Sequence, residues 1–166
     1  MERRKKIYLG TNTKMYKTTE QTVAFLKRLN ELTQDISRDR MELFVIPSYT
    51  TLTAARESVP RESILLGAQN MGWEEQGQFT GEISPLMLRE AGMDIVMVGH
   101  SERRHVFRET DAEENKKVLC ALQHAFRPLL CVGETAEEKD FGIAEEVLRT
   151  QLKVGFHGVT PEQAKT

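Results

Sequence analysis

The sequence is poor in cysteine and contains no long apolar segment, and both absences exclude classes of protein. Its two cysteines, Cys120 and Cys131, have the spacing of neither a disulfide framework nor a metal site. No window is apolar enough to predict a membrane span, and the first apolar run ends at Gly10, too early for a signal peptide. We therefore expect a cytoplasmic protein with reduced thiols that does not associate with membranes.

An excess of charge of one sign is also missing. The 166 residues include 23 basic and 25 acidic side chains, which gives a formal net charge of −2. This balance offers no electrostatic reason to expect nucleic acid as a partner. The sequence has no glycine-rich nucleotide loop and no Cys/His cluster, so we expect neither a cofactor nor a metal.

Short apolar runs recur along the chain and predict the strands of a parallel sheet. Each run is apolar throughout rather than alternating, as expected of strands that are covered on both faces. The runs cover residues 7–9, 43–46, 64–66, 95–98 and 129–132. With 39% hydrophobic and 29% charged residues, the composition is that of one globular domain over residues 1–166.

The segments between these runs carry the start signals of helices. Three pairs have the spacing of a capping box, in which two side chains satisfy free backbone N–H groups at a helix start. The pairs are Thr18 with Gln21, Thr110 with Glu113 and Thr160 with Gln163, and Ser84-Pro85 adds a cap followed by proline in the first turn. Alternating strands and helices predict an α/β fold with right-handed crossovers.

Spacing alone leaves two architectures open, an open doubly wound sheet and a closed eight-stranded barrel. The predicted strands start 36, 21, 31 and 34 residues apart. At roughly 30 residues per unit, eight units would take about 250 residues, the usual length of such a barrel. The five units found here would take about 155 residues, close to the length of the chain.

In either architecture a ligand lies beyond the carboxyl ends of the strands, where the loops converge. This rule selects side chains that suit an anionic substrate with a carbonyl group. Lys14 can offset phosphate charge and a developing oxyanion, while Asn12 and His100 can donate hydrogen bonds to the carbonyl oxygen. The full set comprises Asn12, Lys14, Gln69, Asn70, His100 and Glu134.

His100 is notable because it lies between Gly99 and a predicted helix start at Ser101. The positive partial charge at a helix N-terminus disfavours the protonated imidazole, so a neutral ring would act as a hydrogen-bond donor. A lone histidine is more often structural than catalytic, and its position alone leaves both roles open.

Other candidates have a plain structural interpretation. Glu102, Arg103 and Arg104 form a run of charges of the kind that is ordinarily solvated. Cys131 falls in the predicted strand 129–132 and is interpreted as a small buried apolar residue. The residues alone assign none of these four to a site.

Five motifs resemble those of the triosephosphate isomerase family in order and spacing. They are Asn12-Thr13-Lys14-Met15, Gly67-Ala68-Gln69-Asn70, Phe79-Thr80-Gly81-Glu82-Ile83-Ser84-Pro85, the segment 98–104 and Cys131-Val132-Gly133-Glu134. The resemblance extends from residue 7 to the end of the chain. It favours the barrel over the open sheet and implies the first five of eight β/α units, with the elements after strand five absent.

The resemblance implies a role for each matching polar residue. Asn12 and Lys14 would bind substrate, and Lys14 would also be the electrostatic stabiliser. His100 would be the electrophile that polarises the carbonyl group, an assignment that comes from the family itself. Glu102 would be a supporting carboxylate close to Lys14 and His100.

Further residues are implied in supporting and interface roles. The 70–84 loop resembles the arm through which two barrels interlock as a homodimer. Ser101 would orient the rim, and Cys131 would lie beneath the catalytic glutamate. The supporting set is Gln69, Ser101 and Cys131, and the dimer-interface residues are Thr80 and Gly81.

The family isomerises small phosphorylated aldoses and ketoses through an enediolate, without a cofactor. Its glutamate base follows the sixth strand, so the resemblance implies that the catalytic base is not in this chain. We expect the chain to be inactive alone and the natural gene product to be about 80 to 90 residues longer. A frayed C-terminal tail and a complementing second chain are the alternatives.

The sequence does not decide how many carbon atoms the sugar substrate has. Thr13 stands where the family usually has tryptophan, Tyr16 stands where asparagine is usual, and 71–76 is more similar to relatives that act on four-carbon ketose phosphates. Interconversion of glyceraldehyde 3-phosphate and dihydroxyacetone phosphate is the first expectation, and tetrulose-phosphate isomerisation is the alternative. A hypothesis of another class is a non-catalytic part-barrel that dimerises or binds anions, which would have to protect its open sheet edges.

Overall fold

A computed structural model describes residues 6–165, and the chain divides into two compact units, 1–69 with 86–96 and 70–85 with 97–166. The described residues form five strands: β1 (Ile7–Asn12), β2 (Met41–Ile46), β3 (Leu65–Ala68), β4 (Ile95–Val98) and β5 (Arg127–Leu130). The helices are α1 (Thr19–Leu32), α2 (Leu52–Ser58), α3 (Pro85–Glu90), α4 (Ser101–His105), α5 (Asp111–Gln123), α6 (Ala136–Asp140) and α7 (Ala144–Gly155). Short 3₁₀ turns lie at Tyr49–Thr51 and Gln163–Lys165.

In the first unit the strands pair in chain order and run parallel. Leu9 lies opposite Leu43 and Phe44 lies opposite Leu65. Gly67 of β3 pairs with the first residue of β4. This confirms the predicted α/β fold with consecutive parallel strands. The fully buried side chains of this unit include Leu26, Val45, Ile46, Ile64, Leu66 and Val96.

β1 is an exception to the predicted burial. Ile7, Tyr8 and Leu9 are 57%, 62% and 57% exposed, whereas the sequence predicted strands covered on both faces. Among the described residues β1 pairs with β2 alone, so its other edge carries no strand. The burial prediction is therefore wrong for this strand.

In the second unit the end of β4 is joined to the residues that follow β5. The backbone N–H of Cys131 donates to the Val98 carbonyl at 2.8 Å. Helix α5 packs against both β5 and α7. Its buried side chains Val118 and Ala121, with Phe126, form the core of this unit.

The capping signals locate the long helices correctly. Thr18 Oγ1 accepts from the Gln21 backbone N–H at 3.4 Å, while Gln21 Oε1 accepts from the Thr18 N–H at 3.0 Å. The matching pair at Thr110 opens α5, and α3 begins at Pro85 as predicted. Thr160 makes its capping contacts but precedes only the 3₁₀ turn Gln163–Lys165, so the helix predicted there is wrong.

β5 begins two residues earlier than predicted. It covers Arg127–Leu130 rather than 129–132, and Cys131 follows it. The interpretation of Cys131 as a residue inside a strand is therefore wrong: its N–H still bonds to Val98 of β4, but its carbonyl accepts from the Arg104 side chain at 3.2 Å. Within residues 6–165, no helix has both the length and the apolar character needed to cross a bilayer.

Candidate active site

Three residues predicted at the strand ends come together in the first unit. β1 ends at Asn12, whose Oδ1 accepts from the backbone N–H of Lys14 at 2.8 Å. Gln69, directly after β3, donates from Nε2 to the Lys14 carbonyl at 2.7 Å. Ser48, which follows β2, donates from Oγ to the same carbonyl at 3.0 Å. The backbone of Lys14 is thus held by side chains from three neighbouring strand ends.

Lys14 needs this support because its backbone is strained. Its φ is 51°, in the left-handed region that residues with a Cβ rarely adopt. A conformation of this kind costs on the order of 1 kcal/mol and persists only where the surroundings determine it, which is common at functional sites. Its side chain is half-buried at the rim.

His100 caps helix α4 with its own side chain. Its Nδ1 accepts from the backbone N–H of Glu102 at 3.2 Å. An amide N–H can only donate, so Nδ1 carries a lone pair and the proton of the neutral ring lies on Nε2. Glu102 Oε2 also lies 3.5 Å from Nδ1, but this longer contact would require a proton on Nδ1, and the shorter amide contact decides the tautomer.

A cavity of about 150 Å³ opens beside His100. Its wall includes Ser101, Cys131 and Glu134, so three residues from the predicted motifs line the same space as the imidazole. Burial raises the pKa of the Cys131 thiol, which keeps it in the weakly reactive protonated form.

The charge run after His100 is not the solvated face that the residues alone suggested. The side chain of Arg104 is 8% exposed and pairs with Asp111. Arg103 is partly buried and pairs with Glu109. Glu102, by contrast, is 47% exposed. The solvated interpretation is therefore wrong for both arginines, because each has a carboxylate partner within the fold.

Glu109 anchors a buried cluster that the sequence did not predict. Its Oε1 accepts from Arg103 Nε and from Asn70 Nδ2, both at 2.9 Å, and its Oε2 lies 2.8 Å from Lys117 Nζ. Burial alone would raise the pKa of Glu109, but hydrogen bonds and charges from Arg103 and Lys117 outweigh it and lower the pKa to about 2. Lys117 Nζ also donates to Asn70 Oδ1 at 3.0 Å. Asn70, predicted at the ligand rim, is buried in this cluster instead, with both ends of its amide used.

The 70–84 loop is closed at its base and exposed at its tip. The backbone N–H of Gly72 donates to the Ile83 carbonyl at 2.8 Å. Thr80 and Gly81 lie exposed at the tip, and Gly81 has a φ of 95° with no neighbouring atom within 4 Å of its missing Cβ. Both residues are therefore accessible to solvent.

The same loop is tied to α5 by aromatic and charged contacts. Trp73 meets Phe79 edge to face, with ring centroids 6.3 Å apart, and Lys116 Nζ lies 5.0 Å from the Trp73 ring. Glu75 Oε1 lies 2.9 Å from Nε2 of His124, the residue that directly follows α5. The loop is therefore anchored although it contains no regular structure.

The predicted site residues fall into one set in each unit. Asn12, Lys14 and Gln69 provide a cation and two amides at adjoining strand ends. The second set is built around the His100 imidazole, which can donate from Nε2. Its other members are Ser101, Glu102 and Cys131. Among residues 6–165, no three His, Cys, Asp or Glu side chains are close enough to hold a metal ion.

Comparison with known proteins gives a consistent result. The family model described as triosephosphate isomerase matches residues 7–166. An L-erythrulose-1-phosphate isomerase from Rhizobium etli is 45% identical over 157 residues, which cover 94% of this chain and 58% of the relative. A triosephosphate isomerase from Caldanaerobacter subterraneus subsp. tengcongensis is 45% identical over 154 residues, covering 93% and 61%.

A triosephosphate isomerase from Clostridium tetani is 44% identical over 161 residues, which cover 97% of the chain and 62% of the relative. The chain thus spans about 60% of the length of the curated relatives it matches. The match includes all five motifs quoted above and confirms both the resemblance and the predicted fold, a partial β/α barrel.

Proposed function

Because the chain belongs to the triosephosphate isomerase family, we propose that the complete protein is an aldose–ketose isomerase of small sugar phosphates. Residues 1–166 would form part of a single barrel domain. The reaction would interconvert glyceraldehyde 3-phosphate and dihydroxyacetone phosphate, as a step of glycolysis and gluconeogenesis in the cytoplasm. It requires no cofactor, since it moves protons within one molecule and transfers no external electrons.

The observation that carries this proposal is the state of the His100 imidazole. Its Nδ1 is occupied by the Glu102 backbone N–H, which leaves Nε2–H as the one donor of the neutral ring. A neutral donor beside a substrate carbonyl stabilises the negative charge that develops on oxygen as the enediolate forms. We assign this electrophilic role to His100.

Lys14 and Asn12 are proposed to bind the substrate. The ammonium group of Lys14 would offset the charge of the phosphate and of the developing oxyanion. The strained backbone of Lys14, fixed by Asn12, Ser48 and Gln69, supports a requirement for one exact placement of this side chain. Glu102 is proposed as a supporting carboxylate, with Ser101, Cys131 and Gln69 in supporting positions.

The proposed reaction also requires a base that removes a proton from the substrate and returns it. A base removes the proton from the carbon next to the carbonyl, the enediolate forms, and the conjugate acid returns a proton to the adjacent carbon. The family resemblance assigns this role to a glutamate after the sixth strand, which is not among the five strands of this chain. We therefore propose that residues 1–166 alone do not catalyse the reaction.

The protein is proposed to act as a homodimer. The exposed tip of the 70–84 loop, with Thr80 and Gly81, would insert into a second copy of the chain. The anchoring of this loop on α5 through Trp73 and Glu75 supports a fixed projecting arm.

Tetrulose-phosphate isomerisation is the second candidate. It is favoured by the 45% identity to the Rhizobium etli enzyme, which is named for L-erythrulose 1-phosphate. The two candidates share the same chemistry and differ in the length of the sugar that the site must hold.

Steady-state assays on the protein expressed from its complete gene test the proposal. Glyceraldehyde 3-phosphate and L-erythrulose 1-phosphate would be compared as substrates under identical conditions. A kcat/KM at least about tenfold higher for the triose supports the first candidate, and the reverse supports the second. Activity on neither substrate would refute the isomerase function.

A further inference from the structure

Arg104 holds the backbone of His100 from both sides. Its Nε donates to the Gly99 carbonyl at 2.7 Å, and its backbone N–H donates to the His100 carbonyl at 3.1 Å. These carbonyls belong to the two peptide groups that flank the Cα of His100. The contact to Gly99 is specific to the guanidinium, whereas the contact to His100 is an ordinary helix hydrogen bond that any residue at position 104 would make.

The same guanidinium reaches the end of the neighbouring strand. Its Nη2 donates to the Cys131 carbonyl at 3.2 Å, while the Cys131 N–H donates to Val98. The peptide before His100 is thereby joined to the segment after β5. Both segments line the cavity beside His100.

Gly99 leaves room for this arrangement. Its φ is 72°, and a Cβ at this position would lie 2.5 Å from Arg104 Nη2 and 3.0 Å from the Cys131 carbonyl oxygen. Any side chain at residue 99 would displace the guanidinium. Asp111, the first residue of α5, pairs with Arg104 Nη1. This pair balances the charge of the Arg104 side chain, which is only 8% exposed.

We propose that Arg104 is a positioning residue for the isomerase reaction, whose side chain fixes the His100 imidazole by clamping the Gly99–His100 peptide group to the segment after β5. This role rests on the function proposed above. A donor that stabilises an oxyanion must be placed to within a fraction of an ångström, and a shift of about 1 Å costs on the order of 100-fold in rate. A lysine cannot reproduce the clamp, because one ammonium group lacks the planar fork that serves Gly99, Cys131 and Asp111 together.

Two variants of the complete protein separate positioning from simple ion pairing. Arg104→Gln removes the side-chain contacts to the Gly99 and Cys131 carbonyls together with the ion pair, whereas Asp111→Asn removes the ion pair and leaves those two contacts. We expect Arg104→Gln to lower kcat by about 10- to 100-fold, with KM changed by less than about threefold. Asp111→Asn should lower the unfolding midpoint but keep kcat within about threefold of the wild type.

Equal losses of kcat in Arg104→Gln and Asp111→Asn would overturn the proposal, because the ion pair would then account for the effect. Full kcat in Arg104→Lys would overturn it as well, since charge alone would suffice. Arg149→Gln is the matched control, because Arg149 forms an exposed pair with Glu145 on α7 and should leave kcat unchanged.

Nitrogen-15 NMR of the His100 imidazole tests this positioning role independently of catalytic activity. In the wild type, His100 should be the tautomer protonated on Nε2, and in Arg104→Gln its two ring nitrogens should approach averaged shifts. An unchanged tautomer in Arg104→Gln would overturn the proposal. An inactive wild type would refute the isomerase function alone, since the NMR comparison would still decide whether Arg104 fixes the ring.

Discussion

The carboxyl group of Glu114 is fully buried, and the negative charge of the Glu109 carboxylate acts on it. Neither oxygen of Glu114 has a hydrogen-bond partner among the described residues. Ionisation of Glu114 would place an unpaired buried charge near a second carboxylate, which disfavours the charged form. Burial raises the pKa of Glu114 to about 7 against the attraction of Lys117, and the neighbouring charge of Glu109 adds to the rise.

We predict that the free energy of unfolding falls as the pH rises from 4.5 to about 7. The pKa of Glu114 is 4.5 in the unfolded state and about 7 in the folded state, so between these values the folded state binds the extra proton and its stability falls as the pH rises. Above about 7 both states are ionised, and this contribution no longer changes. Glu114→Gln is uncharged at every pH. It should flatten this part of the profile and stabilise the protein at pH 8 by up to about 3 kcal/mol.

Urea unfolding of the complete protein between pH 4.5 and 8 measures this effect. Glu145→Gln is the control, because Glu145 is 78% exposed and its loss should leave the slope unchanged. A Glu114→Gln profile as steep as that of the wild type would show that Glu114 does not carry the proton.

Glu109→Gln should be strongly destabilising. It leaves the ammonium of Lys117, which is 1% exposed, without its counter-charge, and removal of one partner from a buried pair costs about 3–5 kcal/mol. Because the pKa of Glu109 is lowered to about 2, this stabilisation is complete above 4.5 and is lost as the pH falls through about 2.

Urea unfolding at pH 7 tests the Glu109 prediction. Lys117→Met in the Glu109→Gln background should recover part of the loss, since it removes the unpaired charge. A Glu109→Gln cost below about 1 kcal/mol, the value typical of an exposed pair, is the contradictory result.

The sequence predicted the parts of the fold that depend on local chemistry. The capping boxes at Thr18 and Thr110 locate α1 and α5 because both partners of each box lie within one turn. The position of His100 before α4 follows from the same local logic. The box at Thr135, which opens α6, has the same spacing and could have been found.

The buried charges could not be predicted in the same way. Lys117 and Glu114 on a helix suggest a solvated face, and their burial depends on Glu109 and Asn70, which lie outside α5. One feature of the sequence could have indicated this burial. At helical spacing, Glu114 and Lys117 lie on the same face of α5 as the apolar residue Ala121. The partners that compensate for these buried charges are brought to α5 by the tertiary structure, which the local sequence does not reveal.

Lys14→Met should abolish most activity and leave the fold intact. The backbone of Lys14 is held by other residues, so the unfolding free energy should change by less than about 1 kcal/mol. Loss of the cation should lower kcat/KM of the complete protein by about 100-fold or more. Lys27→Met on the exposed face of α1 is the control, and equal activity in the two variants would remove Lys14 from the site.

Thr80→Arg should convert the complete protein from dimer to monomer. A long cation at the tip of the 70–84 loop would be desolvated without a partner in the proposed interface. Sedimentation equilibrium measures the change. Thr150→Arg, at an exposed position of α7, should remain dimeric, and a dimeric Thr80→Arg protein would show that the arm does not form the interface.

The turnover of His100→Gln in the complete enzyme is the most direct test of the proposed chemistry. The imidazole contact to the carbonyl oxygen strengthens in the transition state, so kcat should fall by about 100-fold or more while KM changes little. His157→Gln, at an exposed histidine, should match the wild type. A kcat for His100→Gln within about twofold of the wild type would contradict the role of His100 as the electrophile.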